Sequence, residues 1–554
     1  MAYDADLGRD DLETFDGAQP DNFWRADPHL RRVLARLAGE TTLAGWETQL
    51  DQFGAECAGG IDAAVRLNNL GHNLPTLDRF DGFGARLEAV EHHPSFHIAG
   101  RGIYGSGVMK ALTEAHGNVK SLAMFYLSSH NGEGGHNCPL ACTAGAIKAI
   151  RALGSAVVRD RYLPRLLSTD YQTLAHGAQF LTEVQGGSDV GANSVRALPS
   201  DDASLTFALH GEKWFCSNVT ADLVVVTARL EGAAEGTEGL GMFLMPRRLP
   251  DGSLNRFTIR RLKDKIGTRT LPTAELDLNG ALAYPLGPTE GAFKNVMTYV
   301  INTSRLFNAV GCCGMARRAG LVAHGYAAHR KAFGRPIAHY PMVADILATM
   351  RAQTAAMTSG TFYLAAQADR IEQGDADAET RGFWRMAVNL NKMRTALTAH
   401  EVIQSGLEIL GGNGTIETFS VLPRLLRDNV VFENWEGSHN VLLLQVLRDC
   451  KTKRLHQAFF AHLATLGGNP DRIRTAAAAA RSELEAALAG DEALATLVIR
   501  RLGSRIAYLF WAAAMHADGT EPALIDHFLD HAIGPQPAQD AAYARRIAAL
   551  AQVP

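Results

Sequence analysis

The residues best suited to proton transfer lie in one short segment, Asn434–Val441, near the three-quarter mark of the chain. Within it Glu436 stands between Trp435 and Gly437. A neighbouring aromatic ring can exclude water from a carboxylate, which disfavours its charged form and raises its basicity. A glycine lets a substrate or cofactor approach the backbone. Most Glu side chains are solvated surface charges, so this segment needs support from the rest of the chain.

Composition and charge restrict the class of protein. A chain of 554 residues is too long to fold around a single hydrophobic core. We therefore predict roughly three or four packed units. Its content of 47% hydrophobic and 20% charged residues is typical of a folded globular protein. The formal net charge of -4 favours neither nucleic acid nor an anionic membrane surface as a general partner.

The cysteines and the start of the chain predict a cellular location. The chain has seven cysteines, an odd number, with no CxxC pair that would indicate zinc or a redox disulfide. The start, Met1–Asp6, is acidic and lacks the basic and apolar regions of a secretory signal. No apolar run approaches the roughly 18 residues that span a bilayer. These features predict a soluble cytoplasmic protein with no membrane partner.

Hydrophobic spacing predicts helices at both ends of the chain. Asp27-Pro28 is typical of a helix start, and apolar residues at the 3-4 spacing of a buried helix face follow it. The same spacing returns after Gly291 and continues into an Ala-rich tail that contains the polar break Gly534–Pro537. We predict helical domains over 1–175, 286–450 and 451–554.

Between these helical regions, residues 176–285 change to an alternation of two residues. Such alternation, bounded by turns like Pro250-Asp251-Gly252, is typical of short strands. The segments predicted to be strands are Leu205–Leu209, Leu223–Val226, Met242–Met245 and Phe257–Ile259. The sequence therefore predicts a small β domain inserted between helical ones.

Two polar, glycine-rich segments are candidates for binding. Residues His130–Pro139 contain two His, one Glu and one Cys, but their spacing matches no helical ligand pair, so we favour a loop between helices and predict no metal. Residues Leu181–Val190 open the β domain, and their backbone N–H groups can meet a phosphate or a ring carbonyl. A Gly-Gly-Ser-Asp turn is also common in ordinary loops.

Two arginines and the charge of the tail bear on anionic ligands. Arg305 and Arg330 interrupt helical stretches, where an arginine either pairs with an acidic side chain or holds a phosphate bidentately. Residues 441–554 carry 12 Lys and Arg against 11 Asp and Glu. The tail is therefore a nearly neutral appendage and not a basic arm.

Four motifs that stand in order resemble the acyl-CoA dehydrogenase family. They are Leu181-Thr182-Glu183 with Gln185–Asp189, Lys213–Asn218, Arg330–Gly334, and Leu410–Gly414 followed by Trp435–Ser438. The resemblance covers roughly residues 90–450 and fits the longer, AidB-like branch. It implies a mostly α protein with an inserted β domain: an N-terminal helical domain, a middle β-barrel, a C-terminal four-helix bundle and an extra C-terminal helical domain.

The resemblance also implies an FAD site in the β domain. Leu181 and Thr182 resemble the partners of the flavin pyrimidine ring, and Ser188 resembles a residue near the FAD pyrophosphate and the CoA arm. Phe215 stands where shorter relatives place a Trp against the flavin, and Ser217 stands where a hydroxyl meets flavin N5. Gly187 and Cys216 lie in the same two motifs and complete the cofactor contacts predicted here.

The helical part is expected to complete this site from a neighbouring subunit. Arg330 and Phe333 resemble residues that reach the FAD of a neighbour, which implies a homotetramer or homodimer. Glu408, Gly411 and Gly412 match a stretch near the adenosine end, although many relatives carry Gln at the position of Glu408. Two further cofactor contacts are expected just beyond the base, at Ser438 and Asn440.

Glu436 matches the family's commonest catalytic base. Some relatives carry the base directly before an arginine on an earlier helix, but here Ser304 precedes Arg305. The substrate contacts predicted from the resemblance are Ser188, Arg305, Trp435 and Gly437.

The implied reaction is α,β-dehydrogenation of a saturated acyl-CoA. Glu436 takes the α-proton as the β-hydrogen leaves as hydride to flavin N5, and electron-transferring flavoprotein reoxidises the cofactor. Three alternatives stay open: an AidB-like flavoprotein that binds DNA in the response to alkylation, a flavin oxidase or monooxygenase, and an inactive member. The neutral tail disfavours DNA as a partner.

Overall fold

The computed structural model describes residues 7–202, 205–468, 470–534 and 537–554. Residues Met1–Asp6, and Pro535–Gln536 of the predicted polar break, lie outside the described residues. The chain divides into two compact units. The first contains Met1–Gly59, His116–Gly132 and Asn308–Pro554, and the second contains Gly60–Ala115 and Glu133–Phe307. The domain boundaries at residues 175, 285 and 450 stay predictions.

The N-terminal region is mostly helical, as predicted. Its helices are α1 Leu7–Gly17, α2 Pro28–Ala38, α3 Glu40–Glu56, α4 Asp62–Asn68, α5 Pro94–Gly105, α6 Gly117–Ser129, α7 Gly134–Leu153 and α8 Ala156–Leu166. The Asp27 side chain caps α2 by accepting a hydrogen bond from the N–H of Leu30. The structure adds an antiparallel hairpin, β1 Thr76–Phe80 and β2 Arg86–Glu91, that the sequence analysis did not predict.

The middle region is a closed β-barrel. Its strands are β3 Gly177–Phe180, β4 Arg196–Pro199, β5 Phe207–Ser217, β6 Leu223–Leu230, β7 Leu240–Pro246, β8 Phe257–Leu262 and β9 Thr273–Pro285. The strand order is β3-β6-β4-β5-β9-β7, and pairing of β6 with β7 closes the ring. Inward side chains such as Phe180, Leu209 and Phe243 fill its core. The predicted β domain is confirmed.

The C-terminal region is helical and extends into the Ala-rich tail. Its elements are α9 Phe293–Asn295, α10 Asn302–His329, β10 Lys331–Ala332, β11 Arg335–Pro336, α11 Pro341–Gln373, α12 Ala378–Leu410, α13 Leu422–Asn434 and α14 His439–Lys453. The tail consists of α15 Leu455–Thr465, α16 Asp471–Ala489, α17 Glu492–Ala517, α18 Pro522–Ala532 and α19 Ala541–Leu550. It packs on the preceding bundle through contacts of α17 with α11 and of α15 with α12.

Two sequence expectations about location can be compared with this fold. No disulfide joins the cysteines, which all lie within the described residues and are buried. No helix among the described residues is both long enough and apolar enough to cross a membrane.

Because of three histidines in the second unit, we expect the stability of the folded protein to be sensitive to acid. The Phe96 ring lies stacked between His92 and His136, with ring centroids 3.9 and 4.0 Å away. Burial lowers the pKa of His92 and of nearby His176 to about 4, and that of His136 to about 3. Since the unfolded chain binds protons near pH 6.5 and the folded chain does not, stability falls as the pH drops from about 6.5 to 4, by about 1.4 kcal/mol per pH unit for each histidine.

Urea unfolding at a series of pH values tests this prediction. In the His136→Gln variant, the free energy of unfolding is expected to depend on pH less steeply, by about 1.4 kcal/mol per pH unit, the contribution of one proton. An exposed control, His72→Gln, is expected to keep the full dependence. An unchanged slope in His136→Gln would contradict the assignment of this proton uptake to His136.

Candidate active site

Glu436 lies on a strained turn between two helices. Helix α13 ends at Asn434, and α14 begins at His439 with Ser438 as its N-cap residue. Between them Glu436 has φ 59° and Gly437 has φ 99°. A non-glycine residue in the left-handed region is uncommon and costs roughly 1–3 kcal/mol unless its surroundings hold it there. The surroundings of this turn therefore have to fix the conformation of Glu436.

Lys392 supplies that support from helix α12. Its side chain is fully buried, and its Nζ donates hydrogen bonds to the backbone carbonyls of Glu433 and Gly437, each at 3.1 Å. These two carbonyls flank Glu436 in the chain. A single buried ammonium thus fixes both ends of the turn that carries the carboxylate.

Trp435, which precedes Glu436 in the chain, packs against the end of α13. Its ring packs against Phe432 with centroids 4.7 Å apart, and the carbonyl of Phe432 accepts a hydrogen bond from Asn308 Nδ2 at 3.1 Å. The Trp435 indole Nε1 is buried and has no hydrogen-bond partner among the described residues. A buried N–H without a partner is costly unless a bound molecule supplies an acceptor.

Glu433, the nearest other carboxylate in the sequence, has a different role. His400 Nδ1 lies 2.9 Å from Glu433 Oε1, and His439 Nε2 lies 3.6 Å from Glu433 Oε2. Burial raises the pKa of Glu433, but its interactions with His439 and His400 outweigh burial and hold the pKa below its ordinary value. Glu433 therefore stays ionised as a partner of two histidines, which makes it a poorer base.

Replacing Lys392 with Met is expected to loosen this turn. The variant removes both charge-assisted hydrogen bonds, each worth about 1.5–3 kcal/mol when the acceptor is buried. If Glu436 is the catalytic base that the sequence predicts, a misplacement of its carboxylate by about 1 Å lowers turnover by about 100-fold. We expect kcat to fall far more than FAD content, as measured by steady-state assay and visible absorbance. The matched control is Lys451→Met, an exposed lysine on α14, and an equal loss of kcat in both variants would contradict this role.

The predicted flavin-binding segment in the second unit has a fixed backbone. The carbonyl of Leu181 accepts hydrogen bonds from Asn193 Nδ2 at 2.7 Å and Lys213 Nζ at 3.2 Å, and the carbonyl of Thr182 accepts one from the N–H of Trp214. A Cβ at Gly187 would lie 2.6 Å from Thr182 Oγ1, so this position requires glycine. Ser188 follows at an exposed position of the same segment.

A buried ion pair joins this segment to strand β5. Lys213 Nζ lies 2.8 Å from Glu183 Oε1, and both side chains are almost completely buried. The Glu183 carboxylate also accepts hydrogen bonds from the backbone N–H groups of Ser194 and Val195. Burial lowers the pKa of Lys213, and the Glu183 charge opposes that shift. Neither residue has a predicted role of its own, although a lysine at an inward position of a strand indicates that an acidic group faces it.

Strand β5 presents the second predicted flavin motif. Phe215 is 50% exposed, and the Ser217 hydroxyl lies 3.3 Å from Thr273 Oγ1. Cys216 points the other way into the barrel core, where burial raises its pKa. Because side chains alternate along a strand, Cys216 can offer a cofactor only its backbone.

The predicted neighbour-reaching motif forms an exposed hairpin in the first unit. The tip residue Phe333 is 97% exposed, with φ 50°, between β10 and β11. Arg330 begins this hairpin, and its Nη1 lies 3.8 Å from Asp11 Oδ2. The Phe333 ring lies 6.4 Å from the Tyr340 ring, centroid to centroid, and is otherwise open to solvent.

The remaining predicted site residues lie at helix ends. Gly411, at the end of α12 with φ 58°, faces open space, as does Gly412, and Glu408 is exposed in the last turn of that helix. Asn440 accepts a hydrogen bond from Arg500 Nη1 at 2.6 Å. In the second unit, Arg305 is buried and its Nη1 donates to Asn302 Oδ1 at 3.4 Å.

Three protein-family models match the chain, and known proteins are similar to it. The adaptive response protein AidB N-terminal domain matches residues 16–173, the acyl-CoA dehydrogenase middle domain 178–281 and the acyl-CoA dehydrogenase C-terminal domain 293–450. Acyl-CoA dehydrogenase family member 11 of Caenorhabditis elegans is 30% identical and covers 94% of this chain and 86% of its own length. The putative acyl-CoA dehydrogenase AidB of Escherichia coli K12 is 33% identical over 73% of this chain and 74% of its own.

Solved structures agree with these matches. The structure of C. elegans ACDH-11 in complex with C11-CoA has a TM-score of 0.84 at 28% identity and covers 96% of this chain and 95% of its own. The apo form of Bd2924 has a TM-score of 0.83 at 29% identity, with coverage of 90% and 98%. Together, the matches define an oxidoreductase that acts on acyl-CoA. The chain belongs to the acyl-CoA dehydrogenase family, on its AidB-like branch.

Proposed function

We propose that this protein dehydrogenates a saturated acyl-CoA between its α and β carbons, with Glu436 as the base that takes the α-proton. The observation that supports this most strongly is the turn itself. Its left-handed Glu436 lies between two carbonyls that a buried lysine holds in place. Energy spent on holding a carboxylate in an unfavourable conformation is typical of a residue positioned for chemistry.

The neighbours of Glu436 suit proton abstraction. The Trp435 ring, which packs against Phe432, limits the access of water to the turn. The backbone N–H of Glu436 polarises the thioester oxygen and makes the α-proton more acidic. Gly437 leaves room for the acyl chain to approach. FAD, when bound, supplies the acceptor for the β-hydride.

The described residues fit an FAD cofactor. Phe215 offers a half-exposed flat ring, Gly187 lets the chain fold tightly onto Thr182, and the backbone at Gly411 faces open space. We assign the flavin end to Leu181, Thr182, Phe215, Ser217 and the Cys216 backbone. We assign the phosphates and adenosine to Gly187, Ser188, Glu408, Gly411, Gly412, Ser438 and Asn440.

The substrate and the subunit arrangement follow from the same assignment. Because a structure similar to this chain holds C11-CoA, acyl-CoAs of medium length are the first substrates to test. Ser188 and Arg305 are the proposed contacts for its CoA arm. The exposure of Phe333, together with Arg330, supports a homodimer or homotetramer in which this hairpin contacts the neighbour's FAD. Electron-transferring flavoprotein is the proposed acceptor.

The basic residues of the tail bear on the DNA-binding alternative. Lys451 pairs with Glu492, Lys453 with Asp449, and both Arg501 and Arg505 with Glu483. Cations that already pair with carboxylates release few counterions from a phosphate backbone. This pairing favours the dehydrogenase over a DNA-binding role, and a gel shift with duplex DNA over a salt series compares the two.

Anaerobic titration with saturated acyl-CoAs from C4 to C16 tests the proposed function. We expect one chain-length class to bleach the flavin absorbance of the purified holoprotein and to release the corresponding 2-enoyl-CoA. An FAD-loaded protein that no acyl-CoA reduces would overturn the proposal. Rapid reoxidation of the reduced protein by O₂ would instead favour the oxidase.

A further inference from the structure

A cluster of possible metal ligands lies in the first unit, where the helical tail packs against α11, and is apart from Glu436 in the sequence. It consists of Asp345 on α11 and of His527 and His531 on α18, and one ligand atom from each lies within 4.8 Å of the others. The two histidines are four residues apart, so they share one face of the helix, and their ring centroids are 4.4 Å apart. This spacing is typical of histidine pairs that bind a metal.

The hydrogen bond of His531 Nδ1 determines which ring nitrogen can act as a ligand. Its Nδ1 lies 2.8 Å from the carbonyl oxygen of His527. Since a carbonyl can only accept, Nδ1 carries the proton in the neutral ring, and Nε2 carries a lone pair. A metal-bound histidine typically donates its other N–H to a backbone carbonyl in this way.

In His527 the two ring nitrogens have the opposite roles: Nε2 is hydrogen-bonded, and Nδ1 is the candidate ligand. Its Nε2 lies 3.1 Å from the hydroxyl of Thr349, which can accept a hydrogen bond. Its Nδ1 is buried and has no hydrogen-bond partner among the described residues. The side chain is completely buried. When Thr349 accepts from Nε2, Nδ1 carries a buried lone pair, which a bound cation would satisfy.

Oxygen donors complete the cluster. Tyr543 on α19 donates its hydroxyl hydrogen to Asp345 Oδ1, and this hydroxyl lies 3.3 Å from His531 Nε2. The guanidinium of Arg546 lies over the Tyr543 ring but pairs with Asp530. The cluster therefore offers two imidazoles, one carboxylate and an adjacent phenol, while Arg546 already has a carboxylate partner.

We propose that Asp345, His527 Nδ1 and His531 Nε2 bind one Zn²⁺ ion, with water or Tyr543 in the fourth position. Two imidazoles and a carboxylate are a common ligand set for tetrahedral zinc. The ion fastens α18 and α19 to α11. Its role is structural, and it gives the C-terminal tail a function in stability that is independent of the proposed dehydrogenation.

Metal analysis of the full-length protein, with any affinity tag removed, tests this site. After treatment with EDTA, the protein is titrated with Zn²⁺ in competition with a chromophoric chelator. We expect one ion per chain and an increase in the midpoint of thermal unfolding. His531→Gln and Asp345→Asn are expected to weaken binding by at least 10-fold, and Thr349→Val, which removes the partner of His527, by about 10- to 100-fold.

His339→Gln, an exposed histidine on the same unit, is the matched control and is expected to bind zinc as the wild type does. Because His531 is exposed, its variant is expected to fold, which circular dichroism verifies. Two results would each overturn the proposal: no saturable binding by the wild type, or unchanged affinity in both His531→Gln and Asp345→Asn.

Discussion

Replacing Glu436 with Gln is expected to slow flavin reduction by acyl-CoA by about 10²–10⁴-fold, the range that a positioned general base contributes. Glutamine keeps the length and shape of the side chain and meets the same backbone strain, so the turn and its hydrogen bonds from Lys392 are retained. What the variant loses is the ability to accept a proton. Anaerobic stopped-flow absorbance at saturating acyl-CoA measures the effect directly.

The control for this variant is Glu417→Gln. Glu417 is exposed and pairs with Arg427 near the end of the same helical region. We expect it to reduce its flavin at the wild-type rate, and both variants to bind FAD and acyl-CoA as the wild type does. A Glu436→Gln protein that reduces its flavin normally would show that another group takes the proton.

Replacing Lys213 with Met is expected to lower the free energy of unfolding by about 3–5 kcal/mol. The variant leaves the Glu183 carboxylate buried without its cationic partner, and an uncompensated buried charge is among the most destabilising changes known. It also removes a hydrogen bond to the carbonyl of Leu181, so FAD retention should fall in parallel. Urea unfolding and the ratio of flavin to protein absorbance measure the two effects.

A double variant separates the ion pair from general loss of packing. Lys213→Met combined with Glu183→Gln removes both charges, and we expect it to be more stable than Lys213→Met alone. The exposed control, Lys294→Met, is expected to change stability by less than about 0.5 kcal/mol. If the stability lost by the double variant equals the sum of the losses measured in Lys213→Met and Glu183→Gln separately, the two charges do not stabilise each other.

The sequence predicted the order of helical and β regions because the spacing of apolar residues changes where the fold changes. Strand β9 was missed because Asp277, Asn279 and Gly280 resemble a turn. In the structure Leu209 pairs with Ala281 and His210 with Asn279, so Gly280 forms a bulge with φ 84° that lets the strand continue. Local residue preferences cannot distinguish such a bulge from a turn.

The candidate site was predictable only where the signal was local. Glu436 stands beside an aromatic residue and a glycine, and these neighbours are visible in the sequence. Lys392 was missed because it reaches the turn from a different helix, and no spacing in the sequence connects the two. The same holds for the zinc cluster: His527 and His531 are four residues apart, but Asp345 belongs to a remote helix.

The most direct test of the central claim is single-turnover flavin reduction with an acyl-CoA deuterated at the α carbon. If Glu436 removes that proton during dehydrogenation, the deuterated substrate reduces the flavin more slowly than the protiated one, and Glu436→Gln gives almost no reduction with either. Equal rates for the two substrates, together with normal reduction in Glu436→Gln, would contradict the account.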